Sequence, residues 1–114
     1  MNPESIKVLG IPYTIRYCDN PIDVDVHKRS SLWGQCDYWT RTIRVYDGGR
    51  CIEDIFETIL HEVLHAIGEA LKLDVLDKGE AIDARKHDEL DVLALALTDV
   101  LFRNNLITLE RDVS

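Results

Sequence analysis

The residues best placed to do chemistry together are His61, Glu62 and His65, in the run His61-Glu62-Val63-Leu64-His65. Two histidines four positions apart lie on nearly the same side of a helix, so their imidazoles can share one tetrahedral ion. The glutamate after the first histidine points elsewhere. It can act as base toward a water on that ion without taking a ligand position. The chemistry implied is metal-assisted hydrolysis, with His61 and His65 as ligands to one Zn2+ and Glu62 as general base.

This pattern works only on a helix, and the flanking residues predict one. Ile52, Ile55, Phe56, Ile59, Leu60, Val63, Leu64, Ile67 and Leu71 recur at the i, i+3, i+4, i+7 spacing of one apolar stripe. With Leu60 at 0° on a helical wheel, the stripe runs from about 220° through 0° to about 40°. His61 falls at about 100° and His65 at about 140°, off the stripe, which argues against a pair of packed core histidines. Gly68, at about 80°, leaves room for another segment to approach that side.

A catalytic zinc needs a third protein donor and an open position for water. A second helix from about Ala84 to Phe102 offers His87, Asp88, Glu89 and Asp91. With Leu90 at 0°, Leu90, Leu93, Ala94, Ala96, Leu97, Val100 and Leu101 define an inward arc from about 240° to about 40°. Glu89 then lies inside this arc at about 260°, His87 at its edge at about 60°, and Asp88 and Asp91 on the polar side. A carboxylate on an inward face is costly unless paired or metal-bound, so Glu89 is the expected third ligand, with His87 next. The plainer alternative for Glu89 is an ion pair with Arg85 or Lys86. Tyr38, Tyr46, His27 and His87 are candidates to stabilise an oxyanion, with sheet packing the simpler role for both tyrosines.

The first fifty residues have the two-residue period of strands. Ser5–Leu9 and Tyr13–Tyr17 read as a hairpin or a bent strand pair about Gly10, 19–31 as a loop with room for a short element, and Leu32–Trp39 and Thr42–Tyr46 as two further strands ended by Asp47-Gly48-Gly49. Trp33 and Trp39 could line a substrate groove, with packing on the sheet the commoner role. Cys36 could be a zinc-coupled switch thiol, with a small buried hydrophobe the commoner reading. Residues 73–82 read as a connector, and Leu106–Leu109 as a short strand or a cover for a core edge. The expected architecture is α+β. A small antiparallel or mixed N-terminal sheet of three or four strands leads into the His-Glu-x-x-His helix and a second helix, in a single domain over 1–114.

Composition narrows the function. The 114 residues carry 13 Lys+Arg against 21 Asp+Glu, a net charge of −8, which speaks against binding a phosphate backbone. Lys28-Arg29 is too small a patch to reverse that. No apolar run is long enough to span a membrane. The start Met1-Asn2-Pro3-Glu4-Ser5 has no signal-peptide character, and the three cysteines contain no Cys-x-x-Cys pair. A cytoplasmic protein with reduced thiols is expected.

The segment Thr58-Ile-Leu-His-Glu-Val-Leu-His-Ala-Ile-Gly resembles the active-site helix of zincin metallopeptidases. Glu89-Leu-Asp-Val-Leu-Ala-Leu-Ala-Leu is similar to the glutamate-bearing helix of the gluzincin branch, in particular the compact ImmA/IrrE-type and phage-encoded metallopeptidases. Leu32-Trp-Gly-Gln-Cys-Asp-Tyr and Thr42-Ile-Arg-Val resemble the strands before the motif in small phage members. The likeness spans about residues 30 to 105. It implies a minimal zincin-like fold, His61, His65 and Glu89 as ligands to one Zn2+, Glu62 as general base, and a protein or peptide substrate pairing with Leu32–Tyr38 or Thr42–Tyr46. The expected function is that of a zinc metalloendopeptidase acting on an intracellular protein or peptide. The alternatives are a zinc-stabilised protein-binding module of phage or mobile-element origin that cleaves little, and a zinc hydrolase of non-peptide bonds. An intact Glu62 favours catalysis, since a structural metal site needs no base.

Overall fold

The computed structural model describes residues 4–73, 84–104 and 106, with the side chains of 84–88 excepted. The described part is α+β: a four-stranded mixed sheet followed by two helices. The strands are β1 (Ser5–Val8), β2 (Ile11–Cys18), β3 (Gly34–Asp37) and β4 (Thr42–Tyr46), and the helices α1 (Ile52–Leu71) and α2 (Ala84–Arg103).

The sheet order is β1-β2-β4-β3. β1 and β2 form an antiparallel hairpin, with Ser5 opposite Thr14 and Val8 opposite Ile11. Its two-residue turn is Leu9-Gly10, both at positive φ, the backbone that matches the twist of a tight hairpin. Pro12 is tolerated within β2 because the N–H positions of alternate residues face alternate neighbours. Ile15 donates toward β1 through the Glu4 carbonyl and Thr14 donates the other way, to Arg41. The ladder to β4 starts only at Thr14, so Pro12 removes no bond from it.

β2 and β4 pair in parallel, from Thr14 opposite Thr42 to Cys18 opposite Tyr46. A parallel pair needs a crossover, and residues 19–41 supply it, with β3 folding back antiparallel on β4. Asp25, only 2% exposed, organises the crossover loop. Its carboxylate accepts from the backbone of His27 and Arg29, from Arg29 Nε and from Gln35 Nε2. These donors hold the Asp25 carboxyl down at about 2, the backbone N–H of His27 contributing most. The loop holds one short element, a 3-10 turn at Pro21–Asp23, and the anchor at Asp25 has no signal in the sequence.

The core lies between the sheet and α1. Val8, Tyr13, Ile15, Ile43 and Val45 pack against Ile55, Ile59 and Ala66. A smaller cluster of Leu64, Leu90 and Ala94 joins α1 to α2, and Phe56 meets Phe102 edge-on at 5.4 Å. These contacts make the helices antiparallel. Partner numbers rise on one helix as they fall on the other: 56 with 102, 64 with 90 and 94. No helix among the described residues is long and apolar enough to cross a membrane. The expected connector beyond 73 and the expected strand at Leu106–Leu109 lie outside the described residues, apart from Leu73 and Leu106.

β3 is shorter than Leu32–Trp39, and the tryptophans flanking it line a cleft. Trp33 also packs on Tyr46 of β4, whereas the packing expectation fails for Trp39. Trp33 is 62% exposed and Trp39 95% exposed. The Asp37 side chain accepts from the backbone of Trp39 and Thr40 and from the Thr40 hydroxyl. The resulting Asx turn ends the strand early and leaves Trp39 outside the sheet.

Candidate active site

The site begins with the helical period of α1. His61 and His65 lie one turn apart, with Nε2 to Nε2 at 3.0 Å. Two imidazole nitrogens on one tetrahedral zinc stand about 3.3 Å apart, so the pair has nearly the spacing such an ion requires. His61 is partly buried and His65 buried, although both lie off the apolar stripe. The wheel foresees one covered face, whereas α1 is covered on two sides, by the sheet and by α2.

His61 Nδ1 lies 2.7 Å from Asp91 Oδ1 on α2. A carboxylate on Nδ1 fixes the ring's orientation and the proton on that nitrogen, leaving the Nε2 lone pair to face outward. The Tyr38 hydroxyl donates to the main-chain carbonyl of His65 at 3.2 Å, tying the turn after β3 to α1. That bond commits Tyr38 to position the helix in this state.

Glu62 lies between α1 and β3. It is 6% exposed, and Oε2 is 3.9 Å from His61 Nε2. Burial, and then the charge of Asp91, raise its carboxyl against the opposing backbone N–H of Cys36, to about 8 in all. A carboxyl with these neighbours can exchange a proton near neutral pH. Gly34 makes the close approach possible. A Cβ there would stand 2.6 Å from Thr58 Cγ2 and 3.1 Å from Glu62 Oε2. Sequence reasoning passed over Gly34. Its one visible signal is a glycine inside a strand, which marks close backbone approach.

Arg50 was also missed, and it forms the joint between sheet and helix. It donates to the Tyr46 carbonyl at 2.8 Å, to the Asp54 carbonyl at 3.0 Å and to Thr58 Oγ1 at 2.8 Å. Its guanidinium lies over the Trp33 ring at 4.5 Å. Tyr46 packs against Trp33 with centroids 5.9 Å apart, so it acts in packing. The backbone N–H of His27 is taken by Asp25, and His27 lines the outer cleft. Cys36 packs against the main core, and burial pushes its thiol up strongly, as expected of a small core hydrophobe.

The α2 assignment changes. Among the described residues of α2, Leu90, Ala94 and Thr98 are buried, with Leu97 packed beside the first two. On the same wheel this arc runs from about 340° to about 80°. Asp91 flanks it and reaches His61, whereas Glu89, placed inward by the sequence, is exposed. The side chains of His87 and Asp88 lie outside the described residues. Among the described residues, no three His, Cys, Asp or Glu side chains are grouped so as to hold a metal ion; the two imidazoles are the portion that α1 supplies alone.

No family model, no curated protein and no solved structure matches the chain.

Proposed function

We propose that this protein is a zinc-dependent peptidase, with His61 and His65 as metal ligands and Glu62 as general base. The observation that carries the reading is the convergence of the two Nε2 atoms beside a buried carboxylate, at the wall of an open cleft. Zinc bound there would polarise a scissile carbonyl and lower the pKa of a water. Glu62 accepts that water's proton and returns it to the leaving amine. Asp91 keeps the His61 ring in the tautomer that can bind metal.

The third donor is expected from the first turns of α2. Asp91 pairs with His61 and Glu89 is exposed, so His87, second to Glu89 on the sequence, is the donor we favour.

Glu62→Gln is expected to retain zinc and to lose hydrolysis by about a hundredfold or more. Metal analysis of His61→Ala, His65→Ala, His87→Ala and Glu89→Ala tests the ligand set, with zinc loss expected in the first three. A Glu62→Gln variant that cleaves as fast as wild type would sink the mechanism.

A further inference from the structure

We propose that the cleft takes an extended peptide with cationic side chains on both sides of the reacting bond, one of them stacked on Trp39. The inference deepens the peptidase reading and rests on it for the location of that bond.

The cleft has a volume of about 1330 Å³, beyond the roughly 300–1,000 Å³ of a site for a small molecule. Seven carboxylates line it: Asp25, Asp37, Asp54, Glu57, Glu62, Glu69 and Asp91. Two guanidiniums offset part of this. Arg29 pairs with Asp25, and Arg50, bonded to main-chain carbonyls and Thr58, keeps a charge that acts on Glu57. Glu69 also pairs with Lys72 at 3.2 Å. Among the described residues no lysine lines the cleft. Carboxylates therefore outnumber cations there, and low-dielectric walls strengthen the resulting field.

Position along α1 gives the acid a direction. Asp54, Glu57, His61, His65 and Glu69 follow one another at intervals of three or four, so they form one stripe along the helix. Carboxylates flank the histidine pair at both ends of a stripe roughly 22 Å long. A strand of about seven residues covers that length. Burial and the neighbouring Asp54 charge raise the Glu57 carboxyl, a crowding that a cation would relieve.

The tryptophans point independently to the same ligand chemistry. Trp33 and Trp39 bracket β3, the edge strand facing the stripe. Trp33 already carries a guanidinium on its face. Trp39, at 95% exposure, offers a second indole face at the other end of the strand. An exposed indole attracts a lysine or arginine side chain, and an apolar side chain would gain nothing from the surrounding carboxylates.

The test uses the full chain carrying Glu62→Gln, so that binding is read without cleavage. Two short unstructured peptides, identical except for lysine in one and glutamate in the other, are titrated by tryptophan fluorescence with and without added zinc. The lysine peptide is expected to bind about tenfold tighter or more at low salt, with the preference shrinking as salt rises. Asp54→Asn with Glu57→Gln should remove most of the preference, and Trp39→Ala should weaken the lysine peptide selectively. Equal affinities, or a preference for glutamate, overturn the inference. Cleavage by the unmutated zinc-loaded protein separates the two readings. If neither peptide is cut while the lysine preference holds, the peptidase reading fails and the cleft assignment stands. If both are cut equally well, the cleft assignment fails and the peptidase reading stands.

Discussion

The two sides of α1 are built differently. Toward the sheet, Ile55, Ile59 and Ala66 enter a core in which Ile43 and Val45 have no exposure at all. Toward α2, the joint is Leu64 against Leu90 and Ala94, with Leu97 beside them. Much of the rest of α2 is open, with Val92 and Leu95 more than half exposed. Local stability follows the density of buried apolar contact, so the sheet side is firm and the α2 side adjustable. The candidate site lies on the boundary. Glu62 is held on the firm side, between β3 and α1, while Asp91 comes from the adjustable side. A base needs a fixed position, whereas a donor that must close around an ion benefits from a helix that can shift at little cost.

The largest effect that tests this contrast is cavity formation on the firm side. Ile43→Ala is expected to cost about 2–5 kcal/mol and to lower the whole denaturation curve. Leu90→Ala should cost near the bottom of that range. Its distinctive effect should be faster amide exchange in α2 with the sheet still protected; uniform loss of protection would dissolve the distinction. Next comes Gly34→Ala, where the added carbon must push β3 away from Thr58 and Glu62. A cost of about 1–3 kcal/mol is expected, together with loss of the proposed peptidase activity, and both are read on the same purified variant.

Asp91→Ala sharpens the comparison from the other side. Its carboxylate is exposed, so stability should change by less than about 1 kcal/mol. Zinc affinity should fall about 10- to 100-fold because His61 loses its orienting partner; calorimetric titration with zinc reads this directly. The smallest effect concerns acid. Asp25 goes from an ordinary 3.8 to about 2 in the folded chain. A depressed folded value means its stabilisation is complete above the unfolded value and is lost as pH falls through the folded one. Asp25→Asn should therefore flatten the loss of stability between about pH 4 and pH 2, and an unchanged acid curve would remove Asp25 as the loop's anchor.

Much of the fold was legible because it is local. The alternation in Ser5–Val8 and Ile11–Cys18 and the stripe in Ile52–Leu71 require only that one face of each element be apolar. The histidine pair was legible for the same reason, since i, i+4 spacing places two side chains together on any helix. Glu89 shows the limit. Its inward assignment came from an arc drawn on Leu90, Leu93, Ala94, Ala96, Leu97, Val100 and Leu101, yet Leu93 and Val100 are 40% and 47% exposed and Ala96 is exposed. These three pulled the arc toward Glu89 and away from Thr98, which is buried. Trp39 fails for a related reason: strand enrichment in aromatics says nothing about the turn at Asp37–Thr40 that ends the strand before it.

The sequence alone determined that a helix carries His61, Glu62 and His65, that the histidines share one side, and that strands precede it. Backbone periodicity enforces these relations within a few residues. Tertiary structure alone decided that β2 and β4 run parallel, that Gly34 lets β3 close over Glu62, and that Asp91 meets His61. Each of these depends on which surface covers which, and that choice is made by packing between segments tens of residues apart.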